Sequence, residues 1–240
     1  MIFNYLKDIY KKLYILQNLY IKNKIYKKRK FYSQSKEDIF VLKYFKNKKK
    51  GLYVDVGCHH PSRINNTFLL YKHGWRGVNI DMSKLSIDLF DVSRKEDVNI
   101  HSAVSTKNKI IDYYTNKNLF LSASIIQKKG SSKFKYKEKV SSKPLTKILD
   151  KTIYKDKQID FLSIDAEGAD YEVLKSLDFK KYKPKLITIE NNEMIPEEYF
   201  QSEIFKLLEQ NNYVFVNKVG VTNFFLIKSL KNEISNLIKI

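Results

Sequence analysis

The sequence predicts an α/β fold: an open, mostly parallel sheet with helices on both faces, preceded by an N-terminal amphipathic helix. Three observations carry that expectation. Short apolar runs rich in β-formers alternate with segments of helical periodicity through most of the chain. Leu52-Tyr-Val-Asp-Val56 runs into Gly57 and is followed by Pro61, as a buried parallel strand does when a tight turn at its carboxyl end leads to a helix. The last two strand-like runs, Tyr213 to Val219 and Thr222 to Lys228, are joined by Gly220-Val221 as an antiparallel hairpin.

The 240 residues suit one α/β domain of roughly 200 residues plus an extension. We divide them into an N-terminal amphipathic basic helix with its linker, 1–32, and the α/β domain, 33–240. A hydrophobic content of 43% is enough for a sizeable core. The formal net charge of +19 invites a nucleic-acid reading, but only four of the 45 basic residues are arginine, the side chain that reads phosphates and bases bidentately. The excess of lysine, asparagine, isoleucine and tyrosine matches an AT-rich coding sequence, although such a chain is still drawn to anionic surfaces. The single cysteine, Cys58, forms no internal disulfide and fits a reducing, cytoplasmic compartment. No uninterrupted apolar run reaches about 18 residues, and lysines break up the start of the chain, so neither a membrane span nor a signal peptide is expected.

Phe3, Leu6, Tyr10, Leu13, Gln17 and Tyr20 recur at helical spacing, with Lys7, Lys11, Lys12, Lys22 and Lys24 on the polar side. Two readings fit residues 1–30. One is a helix packed on the domain or a partner. The other is an aromatic, basic helix at the inner face of a membrane, making the protein peripheral there. Lys27-Lys-Arg-Lys30 then reads as a solvated linker. Ser35 and Asp38 resemble a capping box before a helix through Ile39, Leu42 and Phe45.

After Leu52–Val56 a helix is expected from about Ser62 to His73, stopped at Gly74, with Trp75 between helix and sheet. Gly77 to Ile80 is the second strand and Lys84 to Lys95 the next helix. The third strand is Val98 to Val104, and Ile110 to Thr115 reads as an extra antiparallel one. Asn116 to Val140 has no clear periodicity and reads as a substrate loop. Leu145 to Leu149 is a short helix, Ile159 to Ile164 a strand, Ala169 to Leu177 a helix, Leu186 to Glu190 a strand and Glu197 to Gln210 a helix.

Two features point to a ligand. Gly57 permits a sharp turn, and Gly77-Val-Asn-Ile-Asp81 ends a second strand on an acid. Strand, glycine turn, helix, strand, acid is the arrangement in which a carboxylate receives the hydroxyls of a ribose diol. Where a dinucleotide fingerprint needs its second glycine, this chain has His59, whose bulk argues against a diphosphate and is tolerable for a ligand without phosphates, such as S-adenosylmethionine. An ordinary buried strand and turn is the competing reading.

With these segments in place, the chain resembles the FkbM family of S-adenosylmethionine-dependent methyltransferases. The matching pieces, in order, are Ser33-Gln-Ser-Lys-Glu-Asp38, Val54-Asp-Val-Gly-Cys-His-His-Pro61, Asn65-Asn-Thr67, Gly74-Trp-Arg-Gly77, Asn79-Ile-Asp81, Ala103-Val-Ser105 and Ile159-Asp-Phe-Leu-Ser-Ile-Asp-Ala-Glu-Gly168. Cys58, His59 and Ser163 depart from the family's usual residues. The resemblance implies a class I methyltransferase (Rossmann-like) fold, a seven-stranded sheet of order 3-2-1-4-5-7-6 with strand seven antiparallel. It also implies S-adenosyl-L-methionine as cofactor. Asp55, Gly57 and Cys58 would face its methionine part, Asp81 its ribose, Met82 the adenine face, and Ser102 and Ala103 the adenine edge.

Methyl transfer needs the acceptor held in line and its proton removed. Asp165 and Glu167, in the turn after the fourth strand, are the candidate catalytic acids, with helix capping as the structural alternative. His59, or its neighbour His60, is an alternative base. Neighbouring strand ends would bring Asp165 near Glu190 and Asn191. That set is similar to the divalent-metal site of catechol-type O-methyltransferases and suits Mg2+ or Mn2+. The resemblance implies O-methylation of a hydroxyl on a sugar or glycan precursor, in polysaccharide biosynthesis. The alternatives are an RNA methyltransferase and a non-catalytic membrane- or partner-binding protein on the same fold.

Overall fold

The computed structural model describes residues 2–24, 26–46, 48–115, 123–124, 136–190 and 196–233. In chain order, α1 (Ile2–Leu16) continues as a π-helical stretch over Gln17–Lys22 and is followed by α2 (Glu37–Tyr44), β1 (Leu52–Val56) and α3 (Phe68–Lys72). Next come β2 (Arg76–Asp81), α4 (Lys84–Ser93), β3 (Val98–His101), β4 (Ala103–Val104), β5 (Lys109–Thr115), β6 (Ala123–Ser124), β7 (Tyr136–Lys143) and α5 (Leu145–Leu149). The remaining elements are β8 (Phe161–Ile164), α6 (Asp170–Lys175), β9 (Leu186–Glu190), α7 (Pro196–Gln201), α8 (Glu203–Gln210), β10 (Tyr213–Val219) and β11 (Thr222–Ile227).

β1 is buried along its whole length, which is why it reads as an unbroken apolar run around one acid. It lies near the middle of a seven-stranded sheet of order β10-β11-β9-β8-β1-β2-β3. The pairs from β3 through β9 are parallel, while β11 runs antiparallel between β9 and β10. This is the expected 3-2-1-4-5-7-6 order. It sets the carboxyl ends of β2, β1, β8 and β9 along one edge, where ligands of open α/β sheets bind. One core layer joins Val54, Val56, Val78, Ile80, Leu162, Ile164, Ile187 and Ile189 to α5, α6 and α8. On the other face Tyr53, Phe161 and Phe224 meet α2 and α3. Trp75 is fully buried, donates to the Lys48 carbonyl (2.6 Å) and lies against Gly51, where a Cβ would collide with the indole. Asp160 ties the starts of three strands together. It pairs with Lys48 on the way into β1 and Lys185 on the way into β9, and accepts the Leu52 N–H (3.1 Å).

Several boundaries differ from the sequence expectation, each for a tertiary reason. The helix expected from Ser62 starts only at Phe68. Before it, Arg94 holds the Pro61 carbonyl and Asn65, and the backbone N–H groups of Ser62 and Arg63 donate to His60 Nδ1 (3.1 and 3.2 Å), so this chain is tied to side chains instead of to itself. The third strand breaks at Ser102, and β4 leaves for a second sheet of order β4-β7-β5-β6. The extra strand expected near Ile110 is antiparallel, as β5, but pairs with β7 in that second sheet. Most of the expected 116–140 loop lies outside the described residues, and its end is strand, in β7. The long helix to Gln210 is cut at Ser202, whose hydroxyl accepts the Phe205 N–H (3.2 Å) and starts α8 afresh. The capping box expected between Ser35 and Asp38 does not form: the cap position of α2 falls on Lys36, which makes no side-chain cap, and Asp38 bonds Ser33 instead. Ser33 Oγ donates to Asp38 Oδ1 (2.7 Å) and accepts the Asp38 N–H (3.3 Å).

Ile15 and Leu19 pack on Leu85 and Leu89 of α4, which attaches the N-terminal helix to the sheet's outer layer. Among the described residues no helix is long and apolar enough to cross a membrane.

Candidate active site

At the carboxyl edge of the sheet a cavity of about 290 Å³ opens between the turns that follow β1, β2, β8 and β9. It brings together the sequence-nominated Gly57, His59, Asp81, Met82, Ser102, Ala103, Asp165, Glu167 and Glu190, with Gln34 and Ile64 at its wall. Asp55 and Cys58 do not line it, and Asn191 lies outside the described residues.

The first turn is built by contact between strands. Gly57 sits at φ +78°, and a Cβ there would overlap the Asp165 carbonyl oxygen. Its N–H donates to the Ile80 carbonyl (2.9 Å), so one glycine binds the ends of β1, β2 and β8 together. His59 (φ 55°), Ile64 (φ 48°) and Glu167 (φ 50°) also hold left-handed backbone around the cavity. A β-branched residue there is rare, and strain of this kind gathers at functional sites.

Asp81 ends β2, buried, with Oδ2 accepting the His59 N–H (2.8 Å) and Oδ1 the Ser83 N–H (2.7 Å). Each carboxylate oxygen keeps a further lone pair for a ligand hydroxyl. Burial raises its pKa to about 6 despite those donors, with the Asp55 charge adding to the rise. Met82 packs beside Ala103, Tyr113 and Ile111, giving a flat apolar wall next to that acid. Ser102 is buried and its hydroxyl is spent on strand carbonyls, those of Ala103 (2.8 Å) and Ser141 (3.0 Å), so only its position lines the cavity.

Asp165 and Glu190 come from adjacent parallel strands and are hydrogen-bonded to one another. Burial first, then the Glu190 charge and that hydrogen bond, push the Asp165 carboxyl far above the usual range, with Glu167 and Asp170 adding to it. Two such carboxyls share one proton. The helix-capping alternative for Asp165 and Glu167 loses its ground here. The cap position of α6 falls on Ala169, and Asp170 holds the turn by accepting the Ala166 N–H (2.8 Å). His59 is half-buried and held to about 4 by burial and the Arg63 charge, so it is neutral at pH 7. His60 is buried and is a structural turn residue, its Nδ1 accepting two backbone N–H groups.

Asp55, the acid inside β1, finds its donors in the loop beneath the cavity: Thr67 Oγ1 (2.8 Å) and Asn65 Nδ2 (3.2 Å). Arg94, fully buried, donates to Asn65 Oδ1 (2.6 Å), Thr67 Oγ1 (2.9 Å) and the Pro61 carbonyl (3.0 Å). This guanidinium fixes the loop carrying Ile64, yet it was not nominated from sequence. The signal was its being one of only four arginines in a lysine-rich chain. Cys58 is buried against Ile87 and Phe90, and burial pushes its thiol up, which suits a packing residue rather than a nucleophile. Gln34 reaches the wall because Asp38 anchors Tyr32 and Ser33 beside it.

The residues fit a nucleoside sulfonium. Asp81 has lone pairs to spare at the β2 end, Met82 and Ala103 give an apolar wall beside it, and the described lining residues include no second glycine of a dinucleotide turn and no lysine or arginine. Asp165 and Glu190 are hard oxygen donors for a divalent cation, but among the described residues no group of three or more such side chains forms a metal cluster.

The strand order and the acids along this edge define the class I, S-adenosylmethionine-dependent methyltransferases. The family described as the methyltransferase FkbM domain matches residues 55–215, more than half of the chain, and the protein belongs to it. Among solved structures it is similar to a TehB-like SAM-dependent methyltransferase from Corynebacterium glutamicum, at 10% identity and a TM-score of 0.43, covering 91% of this chain and 96% of that one. It is also similar to a precorrin-6y C5,15-methyltransferase from Geobacter metallireducens (8% identity, 81% and 92% covered, TM-score 0.42). A third is the Burkholderia thailandensis 1,6-didemethyltoxoflavin-N1-methyltransferase with bound S-adenosylhomocysteine (9% identity, 90% and 88% covered, TM-score 0.39). A comparison with curated proteins gave no match.

Proposed function

We propose that this methyltransferase methylates a hydroxyl group of a sugar or glycan precursor, and that the Asp165–Glu190 pair takes the hydroxyl's proton. The observation that carries the proposal is the hydrogen-bonded pair of half-buried carboxyls on the wall of the cavity that also holds an acid suited to a ribose. S-adenosylmethionine, when bound, supplies an electrophilic methyl group. Asp81 accepts the ribose hydroxyls and Met82 and Ala103 bound the base. The Gly57 turn leaves room beside Asp165.

An alcohol gives up its proton as the new bond forms, so a negative charge held beside the hydroxyl can receive that proton. The pair carries one proton and one negative charge near neutrality, and its ionised member accepts the second proton. His59 is neutral near pH 7, its pKa held to about 4 by burial and the Arg63 charge, and carries no charge to draw the proton. Gln34 and Glu167, both exposed at the wall, are polar groups within the cavity that further hydroxyls of the acceptor can meet.

Incubation with methyl-labelled S-adenosylmethionine and separate panels of nucleotide sugars, glycans and RNA, read by mass spectrometry, tests the substrate. A labelled methyl on a sugar oxygen supports the reading, and label only on RNA overturns it. Asp165, Glu190 and Asn191 are also the expected donors for Mg2+ or Mn2+. Activity that survives exhaustive EDTA treatment supports the proton-acceptor role, whereas loss restored by Mg2+ assigns the pair to a cation.

A further inference from the structure

We propose that the N-terminal helix docks this enzyme on an anionic lipid bilayer, with the outward apolar face of α1 lying in the interface. The helix has two apolar strips, and among the described residues the fold buries only one. Ile15 and Leu19 face α4. Leu6, Ile9, Tyr10, Leu13, Leu16 and Tyr20 are exposed, Tyr10 at 62% and Leu13 at 60%. At 100° per residue the α1 members of that set fall within an arc of about 120°, the width of a face built to be covered.

Charge selects the occupant. Residues 1–30 hold nine basic side chains against one acid, Asp8. Lys12 at one flank of the arc is exposed, as are Lys22, Lys24, Lys28, Arg29 and Lys30 beyond it. An apolar strip with tyrosines, bordered by cations, matches the layering of acyl chains, interface and anionic headgroups. A second copy of the same helix would instead bring like charges together. Because no described helix can cross a membrane, the binding is peripheral.

The segment is also tied to the cavity. Arg63 donates to Asn18 (3.0 Å) and Asn23 donates to Ser62, and the loop holding Ser62 and Arg63 runs between His59 and Ile64 on the cavity wall. Docking therefore carries the mouth of the site toward the headgroups. The inference does not depend on the methyl acceptor.

The test is flotation of the full chain with phosphatidylcholine vesicles, with and without phosphatidylglycerol. The intact protein and an Ile153→Ser control, altered at an exposed apolar residue elsewhere, should float with anionic vesicles and detach in high salt. The Leu6→Ser/Tyr10→Ser/Leu13→Ser variant should bind at least tenfold less. If it melts differently from the parent, Leu13→Ser alone should still weaken binding severalfold. Equal binding by parent and variants overturns the proposal, as does failure of the intact chain to bind. A lipid-free dimer that the triple variant dissolves, seen by light scattering, would assign the face to a second copy and overturn it equally.

Discussion

The Asp165 carbonyl oxygen occupies the space that a side chain on Gly57 would fill. The backbone carrying the candidate proton acceptor is thereby seated directly on the turn that ends β1. That glycine serves two ends, since its φ of +78° also suits no other residue well.

Gly57→Ala is therefore expected to cost more than about 3 kcal/mol, combining left-handed strain with a backbone collision. A urea unfolding curve checks it, and a loss under about 1 kcal/mol would mean that the turn relaxes freely.

Glu190→Gln is expected to lower kcat by roughly 10²- to 10⁴-fold. It removes one carboxyl of the pair, and with it the negative charge available for the hydroxyl proton, while burial continues to raise Asp165. Asp165→Asn should cost less, and the double variant no more than Glu190→Gln alone, because the two act as a unit. Single-turnover transfer to whichever acceptor is identified reads this, and additive losses would contradict a shared proton.

The pair should also leave a mark on stability. A carboxyl whose native pKa is raised contributes stability that is fully present below its unfolded value, near the ordinary 3.8, and is lost as pH climbs through the native value. The protein should therefore weaken progressively from acid to alkaline pH through this group, and Asp165→Asn should flatten that decline. At pH 8 the variant should melt a few degrees higher than the parent, about 1–2 kcal/mol, while working more slowly. Melting scans from pH 5 to 9 decide.

Asp81 titrates at about 6, so affinity for S-adenosylhomocysteine should fall as pH drops below that value and the ribose acceptor becomes protonated. Asp81→Ala should weaken binding about tenfold to a hundredfold, the worth of hydrogen bonds to a charged group. Calorimetry at pH 5 and 7.5 measures both effects, and unchanged affinity in the variant removes Asp81 from the ribose.

Arg94→Met should be among the most damaging substitutions outside the cavity, at about 3–5 kcal/mol. It would strip the donor from Asn65, Thr67 and the Pro61 carbonyl and leave the buried acids Asp55 and Asp97 without their neighbouring cation. Arg94→Lys should rescue only part of the loss, since an ammonium lacks the planar fork that reaches three acceptors. Thermal melting of both variants is the check.

Most of the architecture was legible in the sequence because it is written in neighbouring residues. β1, α5 and β9 begin and end where their apolar runs do, and the glycine turn and terminal acid mark the ligand edge of β1 and β2. Boundaries failed where a side chain from elsewhere took over a backbone group. Arg94 and His60 replaced the first turns of α3, and Ser202 divided α7 from α8. The second sheet was invisible beyond one strand, because β7 lacks apolar alternation and pairs with β5 across a long insertion.

By itself the sequence determined which runs form strands and helices, the strand ends at which a ligand is expected and the acids available there, since periodicity and turn chemistry are local properties of the chain. The spatial order of the strands was implied by the family resemblance. The nearness of Asp165 and Glu190 was expected from that strand order, but only the tertiary structure decided which acids line the cavity and which are held by other side chains. Asp55, inside β1, and Asp81, at the end of β2, are the same residue type on neighbouring strands. Yet Thr67 and Asn65 claim the first, while the second receives two backbone donors on the cavity wall. Likewise Asp165 and Glu190 become one proton-sharing unit only when β8 and β9 lie side by side. Proton affinity depends on burial and on the nearest charge, and neither is a property of position along the chain.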